Sequence, residues 1–156
     1  MPISETSSQL IAGPSANQAP FSQTRLGDRR VQVVVAFIED NYRRKLSLAE
    51  MAGAVNLSIW RLAHLFKSEV GISPERYLTL VRLTQAKQHL ETGFHSIKEI
   101  AASVGIPDVS HFVKSFKNNY GQTPTEYRTA FLFLKSYGSS ELPIARFATT
   151  ARSTNR

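Results

Sequence analysis

A segment of about 49–50 residues occurs twice in this chain, and a duplication of that period restricts the fold to two similar units in tandem. The first copy runs from Ser47 through Leu48-Ala-Glu-Met-Ala52, Val55-Asn56 and Leu62 to Phe66-Lys67. The second runs from Ser96 through Ile97-Lys-Glu-Ile-Ala101, Val104-Gly105 and Phe112 to Phe116-Lys117, with one residue inserted near Pro107. Beyond it, Gly71-Ile-Ser-Pro-Glu-Arg-Tyr77 matches Gly121-Gln-Thr-Pro-Thr-Glu-Tyr127.

Each matched position has a physical task. Ser47 with Glu50, and Ser96 with Glu99, have capping-box spacing and start a helix. Ala52 and Ala101 are small enough for a second helix to cross closely. Asn56 and Gly105 tolerate the left-handed backbone of a sharp turn. Ser58 and Asp108 cap the next helix. Ser73-Pro74 and Thr123-Pro124 place a cap and then proline at a first helical position. The apolar spacing agrees: Val31, Val34, Val35 and Ile38 recur at helical intervals, as do Leu48, Met51, Ala52 and Val55, and Ile97, Ile100, Ala101 and Val104. No stretch alternates long enough to make a strand. The expected fold is all-α: two helix-turn-helix subdomains, homeodomain-like units, joined by a long linker helix between flexible termini. The boundaries read as a disordered N-terminal arm over 1–27 and a folded domain over 28–134. That domain divides into a first unit at about 29–73, the linker helix at about 74–92 and a second unit at about 93–134. A flexible basic tail follows over 135–156.

Charge narrows the partner. The chain carries a formal +7, with a pI near 10.0, which favours an anionic partner, duplex DNA before a membrane surface. No apolar run approaches the roughly 20 residues of a membrane span, and the first residues lack the basic start and apolar centre of a secretory signal. With no cysteine, thiol catalysis, disulfides and iron–sulfur sites are excluded, and a reducing cytoplasm is the expected compartment. The four histidines, His64, His89, His95 and His111, form no metal signature, and no nucleophile elbow, P-loop or dinucleotide glycine pattern occurs. No enzyme activity, cofactor or metal is expected.

The inward residues of the second helix of the first unit, Ser58–Lys67, are Leu62, Leu65 and Phe66, leaving Ile59, Trp60, Ala63, His64 and Lys67 outward. In Asp108–Lys117, Phe112 and Phe116 turn inward, leaving Val109, Ser110, His111, Val113 and Lys114. These nine outward residues, Lys67 apart, are the candidates for touching bases. Ser58, Lys67, Arg82 and Lys117 are the candidates for phosphates. Arg43, Arg44 and Lys45 read equally as a steering cluster or a solvated loop.

These residues together carry a resemblance over about two-thirds of the chain. Leu48 to Ala52, Ser58 to Lys67, Gly71 to Pro74, Arg82-Leu83 with Ala86, Ile100 to Gly105, Phe112 to Lys117, Gly121, Pro124 and Tyr127-Arg128 resemble the DNA-binding region of the AraC/XylS family of bacterial transcription regulators. The resemblance implies a sequence-specific regulator, an activator in many members, that places two recognition helices in adjacent major grooves of double-stranded DNA. It also implies contact with RNA polymerase, and it puts Trp60, Ala63 and His64 at base-reading positions. Ala63 departs from the polar residue usual there and offers only a methyl group. It gives Arg82 the task of reaching a phosphate or holding the two halves. The expected state is a monomer or weak homodimer. A helical protein-interaction module, or a degenerate regulator fragment with only nonspecific DNA binding, stays open as the alternative. It is motivated by Phe131-Leu-Phe-Leu134, which cannot all face one core from one helix.

Overall fold

Short polar side chains set where the helices begin. Asp28, Ser47, Ser58, Ser73, Ser96, Asp108 and Thr123 each accept a hydrogen bond from a backbone amide two or three residues further on, satisfying a donor that the first helical turn leaves open. In the computed structural model, which describes residues 27–137, they open α1 (Arg29–Asn41), α2 (Leu48–Gly53), α3 (Ile59–Val70), α4 (Pro74–Thr92), α5 (Ile97–Ser103), α6 (Val109–Tyr120) and α7 (Pro124–Tyr137). No strand occurs among the described residues. The arm and tail expected from composition lie outside them, save for Gly27 and residues 135–137. Gly27 donates its amide to Glu69 at 2.9 Å, and α7 continues past Leu134 to Tyr137.

The duplication is deeper than the sequence reading placed it. Val31, Val34 and Ile38 of α1 are fully buried, and Leu83, Ala86 and Leu90 of α4 stand at the same spacing with the same burial. Glu39 of α1 accepts from the Tyr77 hydroxyl at 2.7 Å, and Glu91 of α4 accepts from the Tyr127 hydroxyl at 2.7 Å. Tyr77 meets Phe66 edge-on with ring centres 5.7 Å apart, and Tyr127 meets Phe116 edge-on at 5.8 Å. Burial first, and then the carboxylate at the hydroxyl, push both phenols well above their ordinary range. The second half of α4 therefore serves the second unit as α1 serves the first, while its start closes the first unit. The linker is shared structure, not a spacer, and the buried side chains of both units form one continuous cluster.

Two further findings concern Arg82 and the run 131–134. Arg82 does not reach outward. Its Nε donates to the Tyr42 carbonyl at 2.8 Å and its Nη2 to the Arg44 carbonyl at 2.9 Å. Those carbonyls lie in the α1–α2 connection, past the last residue of α1, and the half-buried Arg82 guanidinium is their donor. Of the run 131–134, Phe131 stacks on Tyr127 and Leu132 approaches Gly93, while Phe133 and Leu134 remain about half exposed. A helix can turn only part of such a run inward.

The capping boxes also set an acid limit. Arg44, and then Ser47, hold the Glu50 carboxyl down to about 2, and the same geometry lowers Glu99 and Glu126 through Ser96 and Thr123. A carboxyl whose value is lower folded than unfolded makes the unfolded chain the better proton acceptor. Stability is then lost as pH falls from the ordinary glutamate value toward 2. The thermal midpoint should drop through that window, and Glu50→Gln should flatten the drop. An unchanged slope in the variant would contradict the assignment.

Candidate nucleic-acid interface

α3 and α6 present the same face. Along each helix the order of exposed, half-buried and buried positions is identical from Arg61 to Val70 and from His111 to Tyr120. The reason is local: Leu62 and Phe66, and Phe112 and Phe116, are fully buried at i, i+4 spacing. Of the residues between them, His64 and Lys114 are fully outward, while Leu65 and Val113 still pack against the core. On α3, Trp60 is 70% exposed and Ile59 49%, and His64 and Lys67 are exposed. The Trp60 and His64 rings lie 4.3 Å apart, making a tilted aromatic ledge on the surface. Ala63 sits half-buried beside it. On α6, Ser110, His111, Lys114 and Lys117 are exposed. Val109 and Val113 are half-buried and lean on the core, so this face is narrower and less apolar than α3.

Arg61 was missed by the sequence reading. It is exposed on α3 at the position His111 holds on α6. Aligning the two copies residue by residue gives the signal, since a face that admits His111 must admit Arg61. The two outward sets are then Arg61, His64 and Lys67 on one helix and His111, Lys114 and Lys117 on the other.

The caps differ in charge. Ser58 accepts from the Arg61 amide at 3.3 Å as a neutral hydroxyl that keeps a proton to donate. Asp108 accepts from the His111 amide at 3.1 Å as a carboxylate. An anion approaching the start of α6 meets a negative charge, and one approaching α3 does not. His89 and His95 stand with ring centres 5.9 Å apart, and burial, then His95 and Arg43, lower His89 from its ordinary value. Among the described residues no three His, Cys, Asp or Glu side chains gather as a metal site. No described helix is long and apolar enough to cross a membrane.

Known proteins share this arrangement. A family model described as a helix-turn-helix domain matches residues 51–130. The raffinose operon transcriptional regulatory protein RafR of Pediococcus pentosaceus is 36% identical over 96 residues, covering 62% of this chain and 35% of that protein. The C-terminal domain of AraT, a response regulator from Geobacillus stearothermophilus, superposes with a TM-score of 0.64 at 31% identity, covering 68% of this chain and 88% of that one. A transcriptional regulator with an AraC-type DNA-binding domain from Chromobacterium violaceum superposes with a TM-score of 0.62 at 30% identity, covering 65% and 91%. The chain spans 34–40% of the length of the curated relatives it resembles most.

Proposed function

The chain belongs to the AraC-type helix-turn-helix family, and from that premise we propose that it regulates transcription by reading a bipartite site in double-stranded DNA. The observation that carries this is the doubled outward face of α3 and α6, basic on both helices and identical in its exposure pattern. The 19 residues of α4 make a rod of roughly 28 Å. Successive major-groove faces on one side of B-DNA lie about 34 Å apart. One chain can thus offer two recognition helices to adjacent grooves, with internal pseudo-symmetry replacing a dimer.

The roles divide by helix. Ile59, Trp60, Ala63 and His64 lie toward bases from α3, with Arg61 added from the structure. The Trp60–His64 ledge suits a thymine methyl flanked by an acceptor. Ser110, His111 and Lys114 lie toward bases from α6, with Val109 and Val113 supporting the helix more than touching DNA. Ser58, Lys67 and Lys117 face phosphates. Arg82 leaves this set, because two of its donors are spent on backbone carbonyls. The setting is a bacterial cytoplasm. Contact with RNA polymerase is a second reading, favoured by Phe94, 90% exposed, and by the half-exposed Phe133 and Leu134.

The test is selection of bound duplexes from a random pool at about 150 mM salt, since phosphate contacts make affinity depend steeply on salt. Two unlike blocks about one helical turn apart are expected. Recovery of a single block would leave α6 as a positioning element. No enrichment, with binding lost as salt rises, would overturn sequence-specific reading.

A further inference from the structure

Asn56 and Gly105 are the same residue of the repeat. Both sit in the left-handed region, at φ 52° and 80°. Their turns carry matching hydrogen bonds, Asn56 to Gly53 at 3.2 Å and Gly105 to Ala102 at 3.1 Å, then Leu57 to Ala52 at 3.0 Å and Ile106 to Ala101 at 2.9 Å. The first turn tolerates a side chain and the second does not. A Cβ on Gly105 would stand 2.6 Å from the Arg43 carbonyl oxygen and 2.8 Å from that of Tyr42. The second helix-turn-helix therefore rests, backbone on backbone, against the α1–α2 loop of the first.

That loop is held from the other side. Arg82 of α4 binds the Tyr42 and Arg44 carbonyls at 2.8 and 2.9 Å. The Arg43 Nε donates to the Tyr42 hydroxyl at 3.0 Å, and the Tyr42 ring is buried. Tyr42–Arg44 is thus clamped between the linker helix and the turn that precedes α6. α4 is packed into both units, and a second, non-covalent point of contact away from its axis resists the bending and twisting that the helix alone would still allow.

We propose that Gly105 and Arg82 are positioning residues that lock the two recognition helices in one relative placement and so set the spacing between the two DNA blocks. This rests on the reading of α3 and α6 as DNA-binding helices. Two modules held rigidly at the right span bind a composite site far better than modules that must find it by fluctuation.

The decisive variant is Gly105→Asn, which installs the residue the first turn already carries. Gly121→Asn is its control: Gly121 has φ 79° but nothing within 4 Å of a built Cβ, so it bears the same backbone strain without the collision. Arg82→Met releases the loop without inserting an atom, and decides the matter if Gly105→Asn does not fold. The chain has no cysteine, so nitroxides on Ser68→Cys and Asn118→Cys, exposed on α3 and α6, report the placement by pulsed electron resonance without DNA. The parent and Gly121→Asn should give one narrow distance, and Gly105→Asn and Arg82→Met a shifted or broadened one. On the selected duplex, Gly105→Asn should lose about tenfold in affinity for the composite site, keep its affinity for one block, and discriminate less against a spacer altered by one base pair. An unchanged distance distribution in Gly105→Asn, or in Arg82→Met where the first does not fold, overturns the lock. If the parent selects no composite site, the DNA reading fails, and the resonance distances still decide the lock.

Discussion

Phe116→Ala is expected to lower the unfolding free energy by about 3–5 kcal/mol, the range for emptying a fully buried aromatic site. The ring has no exposure and is the hub of the second unit. Phe112 lies at 5.9 Å, Tyr120 at 4.6 Å and Tyr127 at 5.8 Å between ring centres. Its removal takes a partner from three rings at once, and the Tyr127 ring is held from swinging into the void by the bond of its hydroxyl to Glu91 on α4. Against a total of about 5–15 kcal/mol for an ordinary domain, this loss is a large fraction of the stability, and the urea midpoint should fall clearly. Urea titration followed in two ways checks both magnitude and cooperativity. The single tryptophan, Trp60, lies on α3 and reports the first unit, and far-ultraviolet circular dichroism reports all the helices. Because α4 contributes core residues to both units, the two transitions should coincide and shift together. A loss below about 1 kcal/mol would place Phe116 outside the cooperative core. Separate transitions would mean that the shared helix does not couple the units.

That coupling is the part of the fold least legible in the sequence. The helix ends were legible because each depends on one or two adjacent residues. Ser73 with Pro74 opens α4, and Gly93, at φ 77°, ends it. The core of α2, α3, α5 and α6 was legible because the repeat aligns residue with residue there. The correspondence of α1 with the second half of α4 was not, for two reasons. Val31, Val34 and Ile38 share no chemistry beyond hydrophobicity with Leu83, Ala86 and Leu90. In addition, a helix capped like one long rod reads as a spacer. Arg82 shows the same limit on a single side chain. Its charge suggests a phosphate, and only tertiary structure reveals unpaired carbonyls of the α1–α2 loop within its reach.

The outward faces were largely legible, because burying Leu62 with Phe66 and Phe112 with Phe116 determines which neighbours must point away. What periodicity could not supply was the degree. Val109 and Val113 lie on the margin between core and solvent, where one helical position is worth about 100° of rotation. Supporting contacts from a neighbouring helix decide on which side of that margin they fall. The sequence marks Asn56 and Gly105 alike as residues that tolerate the left-handed backbone of a turn. The reason one of them must lack a side chain lies in a loop more than sixty residues upstream in sequence.

Trp60→Ala should separate stability from recognition. With 70% of its surface exposed, Trp60 contributes little to the core, and surface replacements of this kind usually change stability by no more than about 0.5 kcal/mol. A tryptophan held at the centre of a binding face commonly costs about 2 kcal/mol or more of affinity when truncated, roughly thirtyfold. The expected result is therefore a variant with the parent's urea midpoint and an affinity for the selected duplex reduced roughly thirtyfold at fixed salt. The loss should be confined to the α3 block. Base changes in that block should matter less to the variant than to the parent, while changes in the α6 block should cost both proteins the same. Lys67→Ala is the contrasting case. A phosphate contact carries no sequence information, so it should weaken binding to all duplexes alike and reduce the slope of log affinity against log salt by about 0.9. A Trp60→Ala protein that unfolds earlier but binds normally would return the ring to the core, leaving base recognition by α3 to Ile59, Arg61, Ala63 and His64.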